Sequence, residues 1–174
     1  MRPESEKRLK KIERISKVLR LICKVLLVLL ICGFLFVTGT TLAGRGRLYF
    51  LDVSFELAPL APSSRLVFAV IVALVMAVKL KGIYHLYRLF GNYATGNIFT
   101  TESAGQIRQL GITALLWFGV NILFAVATIA FVPPPSTHTI PFHSDSLVAG
   151  VVIIVISWLM QMGAEMREEN ELTI

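Results

Sequence analysis

Four long runs of apolar residues alternate with polar segments along the chain, at about 25–42, 66–83, 110–132 and 147–163. Crossing the hydrocarbon core of a bilayer, roughly 30 Å thick, takes about 20 helical residues, and each run is close to that length. No segment shows the alternation of apolar and polar positions that is typical of outer-membrane strands. The pattern therefore predicts an all-α, polytopic membrane protein, with four transmembrane helices bundled in a single membrane domain over residues 1–174.

The polar segment before the first run, the N-terminal arm of residues 1–24, has a pattern of its own. Apolar residues recur in it at spacings of three and four, with lysine and arginine on the other face: Leu9, Ile12, Ile15, Leu19 and Ile22. This spacing predicts a basic amphipathic helix that lies at the membrane surface and then turns into the first span. The arm is interpreted either as an anchor that fixes the topology or as a docking face for a cytoplasmic partner.

Positive charge is distributed unevenly along the chain. Hydrophobic residues make up 55% of it and charged residues 16%, with a net charge of +6. Nine of the 17 lysines and arginines fall within the arm, and none lies between the third and fourth runs. Because lysine and arginine are retained on the cytoplasmic side, the favoured arrangement places 14 basic residues inside and three outside. It makes both termini cytoplasmic. No groove-reading pattern accompanies the charge, so direct binding to nucleic acid is not expected.

The segment between the second and third runs, the predicted cytoplasmic loop 84–109, begins by continuing the second helix. Its first residues include aromatic side chains suited to the headgroup zone of a membrane: Tyr84, His85 and Tyr87. Gly91-Asn92 and Gly96-Asn97 then offer two chain reversals, because glycine and asparagine tolerate positive φ. The loop is therefore predicted to fold back twice before the third helix begins.

A helix start signal follows these turns. Thr100 is the predicted N-cap of the third helix, and Glu102 lies near the positive end of its dipole. Ile98 and Phe99, just before the cap, are expected to staple the loop onto the membrane or onto a neighbouring helix. The candidate partner contacts of this segment are Ile98, Phe99, Thr100, Glu102 and Arg108.

The C-terminal tail, residues 164–174, is acidic and ends in an apolar triplet. It is either a solvated continuation of the fourth helix or an acidic strip that pairs with the basic arm or with a basic protein. Exposed ion pairs contribute only about 0–1 kcal/mol each, so pairing with the arm would add little stability. The candidate partner contacts of the tail are Glu168, Glu169, Leu172, Thr173 and Ile174.

Two spans carry stripes rich in small residues, which let helix backbones approach closely in lipid. The stripe of the second span consists of Ala69, Ala73 and Ala77, and that of the third consists of Gly111, Ala114, Phe118, Asn121, Ala125 and Thr128. Both are interpreted as packing faces of one bundle. Asn121 is expected to lie inside it and to hydrogen-bond Ser157 or a backbone carbonyl. Its role is either structural or that of a contact for a polar ligand or ion.

Few residues suit catalysis, transport or metal binding. No acidic residue lies in a span, which argues against ion-coupled transport, because transporters usually need an intramembrane ionisable residue. No nucleophile elbow, phosphate loop or HExxH motif is present, so neither an enzyme nor a cofactor is predicted. His138, His143 and Asp145 lie in or beside a proline-rich outer loop, but their spacing matches no common metal site, and solvated side chains are the preferred interpretation. Cys23 and Cys32 lack metal-site or redox spacing.

Two segments together resemble one known family. The stretch GNIFTTE at 96–102, with IRQLG at 107–111, is similar to the pattern G-x-I-F-T-x-E-N … L-R-x-I-G, and MREENELTI at 166–174 is similar to L-x-E-E-x-D-L-T-I. These are patterns of the DUF2975 family of bacterial four-helix membrane proteins. The chain departs from them mildly, with Ser103 in place of Asn and Glu171 in place of Asp.

The resemblance implies a location in the bacterial cytoplasmic membrane. Members of the family are often encoded beside a small helix-turn-helix regulator, which implies a membrane partner for such a regulator. The leading hypothesis is thus a non-enzymatic regulatory or sensory protein whose inner surface, residues 96–108 and 165–174, contacts a cytoplasmic protein. The alternatives are a small transporter or ligand-binding bundle centred on Asn121, and a structural homo-oligomer formed through the alanine stripe of the second span.

Overall fold

Four long helices dominate the computed structural model of the chain, which describes residues 3–44, 47–50, 53–56, 60–131 and 144–172. The helices are α1 (Pro3–Leu42), α2 (Pro62–Ala94), α3 (Thr101–Phe131) and α4 (Asp145–Leu172). All four contain stretches long and apolar enough to cross a membrane. The predicted class, an all-α four-helix membrane bundle, is confirmed.

One small element was not predicted. Between α1 and α2 the chain forms an antiparallel hairpin of strands β1 (Arg47–Phe50) and β2 (Val53–Glu56), with Arg47 paired to Glu56. Gly44 leads into it with a φ of 63°, a left-handed conformation that favours glycine. A Cβ at Gly44 would also overlap the guanidinium group of Arg65, but a flexible arginine side chain can move aside, so the positive φ is the reason that glycine is favoured here.

Each helix packs against the next one along the chain. The core lies mainly between α2 and α3, where Phe68 is fully buried and meets Phe124 edge to face, with ring centroids 6.1 Å apart. The surrounding core residues are Leu60, Ile71, Val72, Val75 and Ala127. In the most apolar stretch of α1, only 6% of the residues are buried, against 28% in the corresponding stretches of α2 and α3. The outer faces of α1 are therefore left for lipid, as expected for a peripheral helix of a membrane bundle.

Helices α3 and α4 approach closely at two glycines. A Cβ on Gly111 would lie 2.6 Å from Ile154 Cγ1 and 2.9 Å from the Gly150 carbonyl, and a Cβ on Gly150 would lie 2.8 Å from Leu115 Cδ2. These pairings make the helices antiparallel, which carries the C-terminal turns of α4 to the end of the bundle that holds the start of α3. They also place the start of α4 beside the middle of α3.

The N-terminal arm differs from its prediction. It continues into the first span as the single helix α1, without the expected turn at the membrane surface. No glycine or proline lies between residues 4 and 32, so nothing in the chain breaks the helix there. The arm packs along the extended end of α2 through a face that includes the buried residues Ser16 and Cys23. It therefore projects beyond the apolar run with α2 alongside it.

Candidate polar site at the basic end of the bundle

Polar and charged groups gather at the end of the bundle formed by residues 10–24 of the arm and residues 84–109, which we call the basic end. Helix α2 continues eleven residues past its apolar run before it ends at Ala94. At 1.5 Å per residue, this extension projects about 16 Å. The basic end is thus a helical projection and not a loose loop.

A single chain reversal joins α2 to α3. Gly91 and Asn92 lie inside helix α2, so the first of the two predicted reversals is wrong. Arg20 of α1 lies against Gly91 and bonds the nearby Tyr87, and this packing favours continued helix over the turn preference of the dipeptide. The reversal falls at Gly96, with a φ of 83°, and the Asn97 N–H donates to the Asn92 carbonyl at 3.0 Å.

Two side chains fix the start of α3: Thr100, which was predicted as its N-cap, and Ser103, whose role was not predicted. The Ser103 N–H donates to Thr100 Oγ1 at 3.2 Å, which confirms Thr100 as the N-cap. The fully buried Ser103 hydroxyl donates to the Asn97 carbonyl at 3.0 Å and accepts from the Thr100 hydroxyl at 3.1 Å. Ser103 therefore ties the turn to the helix, and its place in the family pattern was the one signal that could have found it.

The predicted contact residues of this segment differ in exposure. Phe99 is 62% exposed, so it does not staple the turn onto a neighbouring helix, whereas Ile98 and Thr100 are half-buried. Glu102 is exposed and forms an ion pair with Arg88, with 3.2 Å between Glu102 Oε1 and Arg88 Nη2. Arg108 is exposed on α3. Of the apolar pair, only Phe99 presents most of its surface at the turn.

The tail candidates lie largely outside the described side chains. Glu168, Glu169 and Leu172 are in the last turns of α4, where only the backbone is described, and Thr173 and Ile174 lie outside the described residues. Pairing between the tail and the arm stays a prediction.

Other polar contacts fasten the extended helices together. His85 Nδ1 lies 2.7 Å from Gln106 Oε1, which links α2 to α3. Because an amide oxygen only accepts, the ring nitrogen is the donor. Arg20 of the arm donates to the Tyr87 hydroxyl at 3.1 Å and stacks over the same ring at 4.8 Å from its centroid. Three helices are thus held side by side at the basic end.

Asn121 lies in the core of the bundle, as predicted, and is only 7% exposed. The expected hydrogen bond is not formed: both amide atoms of Asn121 are buried without a partner. The Ser157 hydroxyl instead donates to the Ile154 carbonyl of its own helix at 2.8 Å. Within the bundle, Asn121 is therefore an intramembrane amide that the surrounding side chains do not satisfy.

Of the outer residues considered for metal binding, only Asp145 is described, and it lies exposed in the first turn of α4. His138 and His143 lie outside the described residues. Among those that are described, no group of three or more metal-binding side chains comes together.

These features define a multi-pass α-helical membrane protein whose polar contacts are concentrated at one end of the bundle. A family model described as "Protein of unknown function (DUF2975)" matches residues 51–174, which include α2, α3 and α4. The chain belongs to this family. No curated protein and no solved structure gives a match. The family match begins after α1, so the arm of the basic end lies outside it.

Proposed function

We propose that the chain is a non-enzymatic regulatory or sensory protein of the bacterial cytoplasmic membrane, which binds a cytoplasmic protein through its basic end. A helix-turn-helix transcription regulator is the proposed partner, in keeping with the family resemblance. The proposal takes the basic end to face the cytoplasm, which the distribution of lysine and arginine favours.

The observation that carries the proposal is the exposure of Phe99 at the tip of the projection. The helix ends about 16 Å beyond the apolar run of α2, whereas the headgroup zone adds only roughly 5–8 Å on each side of the hydrocarbon core. Measured along α2, Phe99 lies beyond this zone, although the apolar run of α4, paired with α3 at Gly111 and Gly150, extends to the same level. Phenylalanine is enriched at protein interfaces relative to the rest of the surface, and this one is exposed on an ordered, hydrogen-bonded turn.

The arm adds apolar surface at the same end. Ile12 and Ile15, which belong to the apolar stripe predicted for a membrane surface, are 38% and 48% exposed. Because the arm packs on α2 through Ser16 and Cys23, this stripe faces outward among basic residues. An apolar stripe flanked by positive charge suits a partner that is apolar at its centre and acidic at its rim.

The experiment is a pull-down from the native cells with the full-length protein in detergent. The regulator should co-purify with the natural chain, and Phe99→Ser should reduce recovery roughly tenfold or more, as expected for an aromatic hot spot. Phe131→Ser, at the opposite end of α3, is the matched control and should leave recovery unchanged. Recovery of no regulator, or equal recovery with Phe99→Ser, would contradict the proposal. Deletion of residues 165–174 tests the tail separately.

A second candidate function rests on Asn121. A ligand-binding or transport bundle needs a polar group inside the membrane, and the unpartnered amide supplies one. This reading has less support, because none of the four apolar runs contains a carboxylate.

A further inference from the structure

A polar pocket opens where the arm meets the start of the basic end. It has a volume of about 380 Å³ and lies between α1, α2 and the first turn of α3. Gly91 forms part of its wall, and the Arg20 side chain lies against it, with Cζ 3.5 Å from the position of a Cβ at Gly91, an ordinary van der Waals distance. The polar side chains around it are Arg20, Tyr84, Tyr87, Arg88, Asn92, Thr95 and Glu102.

Positive charge exceeds negative charge in this pocket. Arg20 contributes a guanidinium whose described hydrogen bond goes to a neutral group, the Tyr87 hydroxyl at 3.1 Å. Glu102 is the one carboxylate in the lining of this pocket. It forms an ion pair with Arg88, and that pair is exposed to solvent. A guanidinium has five N–H donors in a planar fork, so both arginines retain donors for a further acceptor.

An amide group in the same wall also lacks an acceptor. Asn92 Nδ2 is buried and makes no hydrogen bond, although the backbone carbonyl of Asn92 accepts from Thr95 and Asn97. A buried N–H without an acceptor is rare in proteins and costs stability. Two guanidinium groups and a free amide donor around one cavity call for a ligand that is rich in acceptors and negatively charged.

The depth of the pocket narrows the class of ligand. Tyr84 is the first residue after the apolar run of α2, and Arg20 lies five residues, or about 7.5 Å, before the apolar run of α1. This side of the pocket is at the level of lipid headgroups, where tyrosine and arginine are favoured, and Asn92, nine residues or about 13.5 Å past the apolar run of α2, lies on its outer side. Phosphate groups are the principal anions at that level, and arginine binds phosphate oxygens with two parallel hydrogen bonds.

We propose that the pocket binds a phosphate-bearing anion, with Arg20 and Arg88 contacting the phosphate oxygens and Asn92 donating an amide hydrogen bond. The phosphate belongs either to the headgroup of an anionic lipid or to a free phosphorylated molecule. In both cases the ligand joins α1 to α2 and thereby holds the arm in place. The proposal does not depend on a protein partner, and its test contains none.

The test uses the full-length protein in maltoside detergent at constant ionic strength. Phosphatidylglycerol and inorganic phosphate are added in separate arms, and binding is followed by native mass spectrometry and by the rise in melting temperature. Arg20→Gln should weaken binding roughly tenfold, the loss of a charge-assisted hydrogen bond. Lys17→Gln removes the same charge from an exposed position of the arm outside the pocket and should change binding less than twofold.

Asn92→Ser serves as a second variant if Arg20→Gln does not fold, and it too should weaken binding. Saturable binding of phosphatidylglycerol that phosphate does not displace assigns the site to a lipid, and displacement by phosphate assigns it to a free phosphoanion. Equal losses in Arg20→Gln and Lys17→Gln would show only general attraction and overturn the proposal, as would binding of neither anion. Phe99→Ser should bind the anion normally, so failure of the partner test leaves this one unaffected.

Discussion

The apolar core of this bundle contains isolated polar side chains, among them Asn121 and Thr128 of α3. The hydroxyl of Thr128 donates to the Phe124 carbonyl at 2.9 Å, which satisfies it within its own helix. Asn121, in the same core, forms no such bond, and both of its amide atoms are buried without a partner. The two residues therefore contribute differently to stability, although both are polar and buried.

Replacing Asn121 by leucine should stabilise the protein or leave it unchanged. An unsatisfied buried polar group costs about 1–3 kcal/mol, and leucine removes that cost at similar volume. Thermal unfolding in detergent measures the change, with Thr128→Val as the control that removes a satisfied hydroxyl. A large loss of stability in Asn121→Leu would show that the amide is bonded in the membrane. A stable Asn121→Leu protein with an unchanged cellular phenotype removes the ligand-binding alternative.

Features that depend on a few neighbouring residues were predictable from the sequence. Length and apolarity predicted the four helices, and Thr100 was identified as a cap because a threonine accepts from the N–H three residues on. The lack of a partner for Asn121 was not predictable, since it depends on how far α4 is displaced along α3. The role of Ser103 was missed for a related reason: its hydrogen bond to Asn97 depends on the exact path of the turn.

At the scale of elements, small residues decide which helix faces meet. The periodicity of the arm predicted that its apolar stripe would lie at the membrane surface, and the face that packs on α2 instead includes Ser16 and Cys23. Close approach of backbones gains dispersion contacts, whereas bulky apolar residues can remain in contact with lipid or a partner. The same rule governs α3 and α4, which meet at Gly111 and Gly150.

The contact between α3 and α4 should be sensitive to a single methyl group. Gly111→Ala introduces a Cβ 2.9 Å from the Gly150 carbonyl, so the helices must separate, at a cost of about 1–3 kcal/mol. Gly119→Ala on the same helix is the matched control, because nothing lies within 4 Å of its Cβ. It should be neutral or slightly stabilising, since alanine favours helix over glycine by up to about 1 kcal/mol. Equal melting temperatures for the two variants would refute this packing.

At the scale of the whole molecule, the bundle is asymmetric along its axis. One end holds the hairpin of β1 and β2, and the other holds the arm, the turn at Gly96 and the last turns of α4. Sequence charge alone suggested this division, and the antiparallel packing of consecutive helices places the arm and the turn together. Both the proposed partner surface and the proposed anion pocket lie at the basic end. The partner and the anion must therefore come from the same side of the membrane.

The orientation of that end is the prediction on which the cellular role depends. In a chain with Cys23 and Cys32 replaced by alanine, Thr101→Cys should be protected from an impermeant thiol reagent in intact cells and should react after lysis. Ala61→Cys, exposed before α2 at the opposite end, should react in intact cells. Thr101 is chosen over its neighbour Ser103, which is fully buried and would not label on either side. The reverse labelling would place the basic end outside, away from any transcription regulator and against the bias of lysine and arginine.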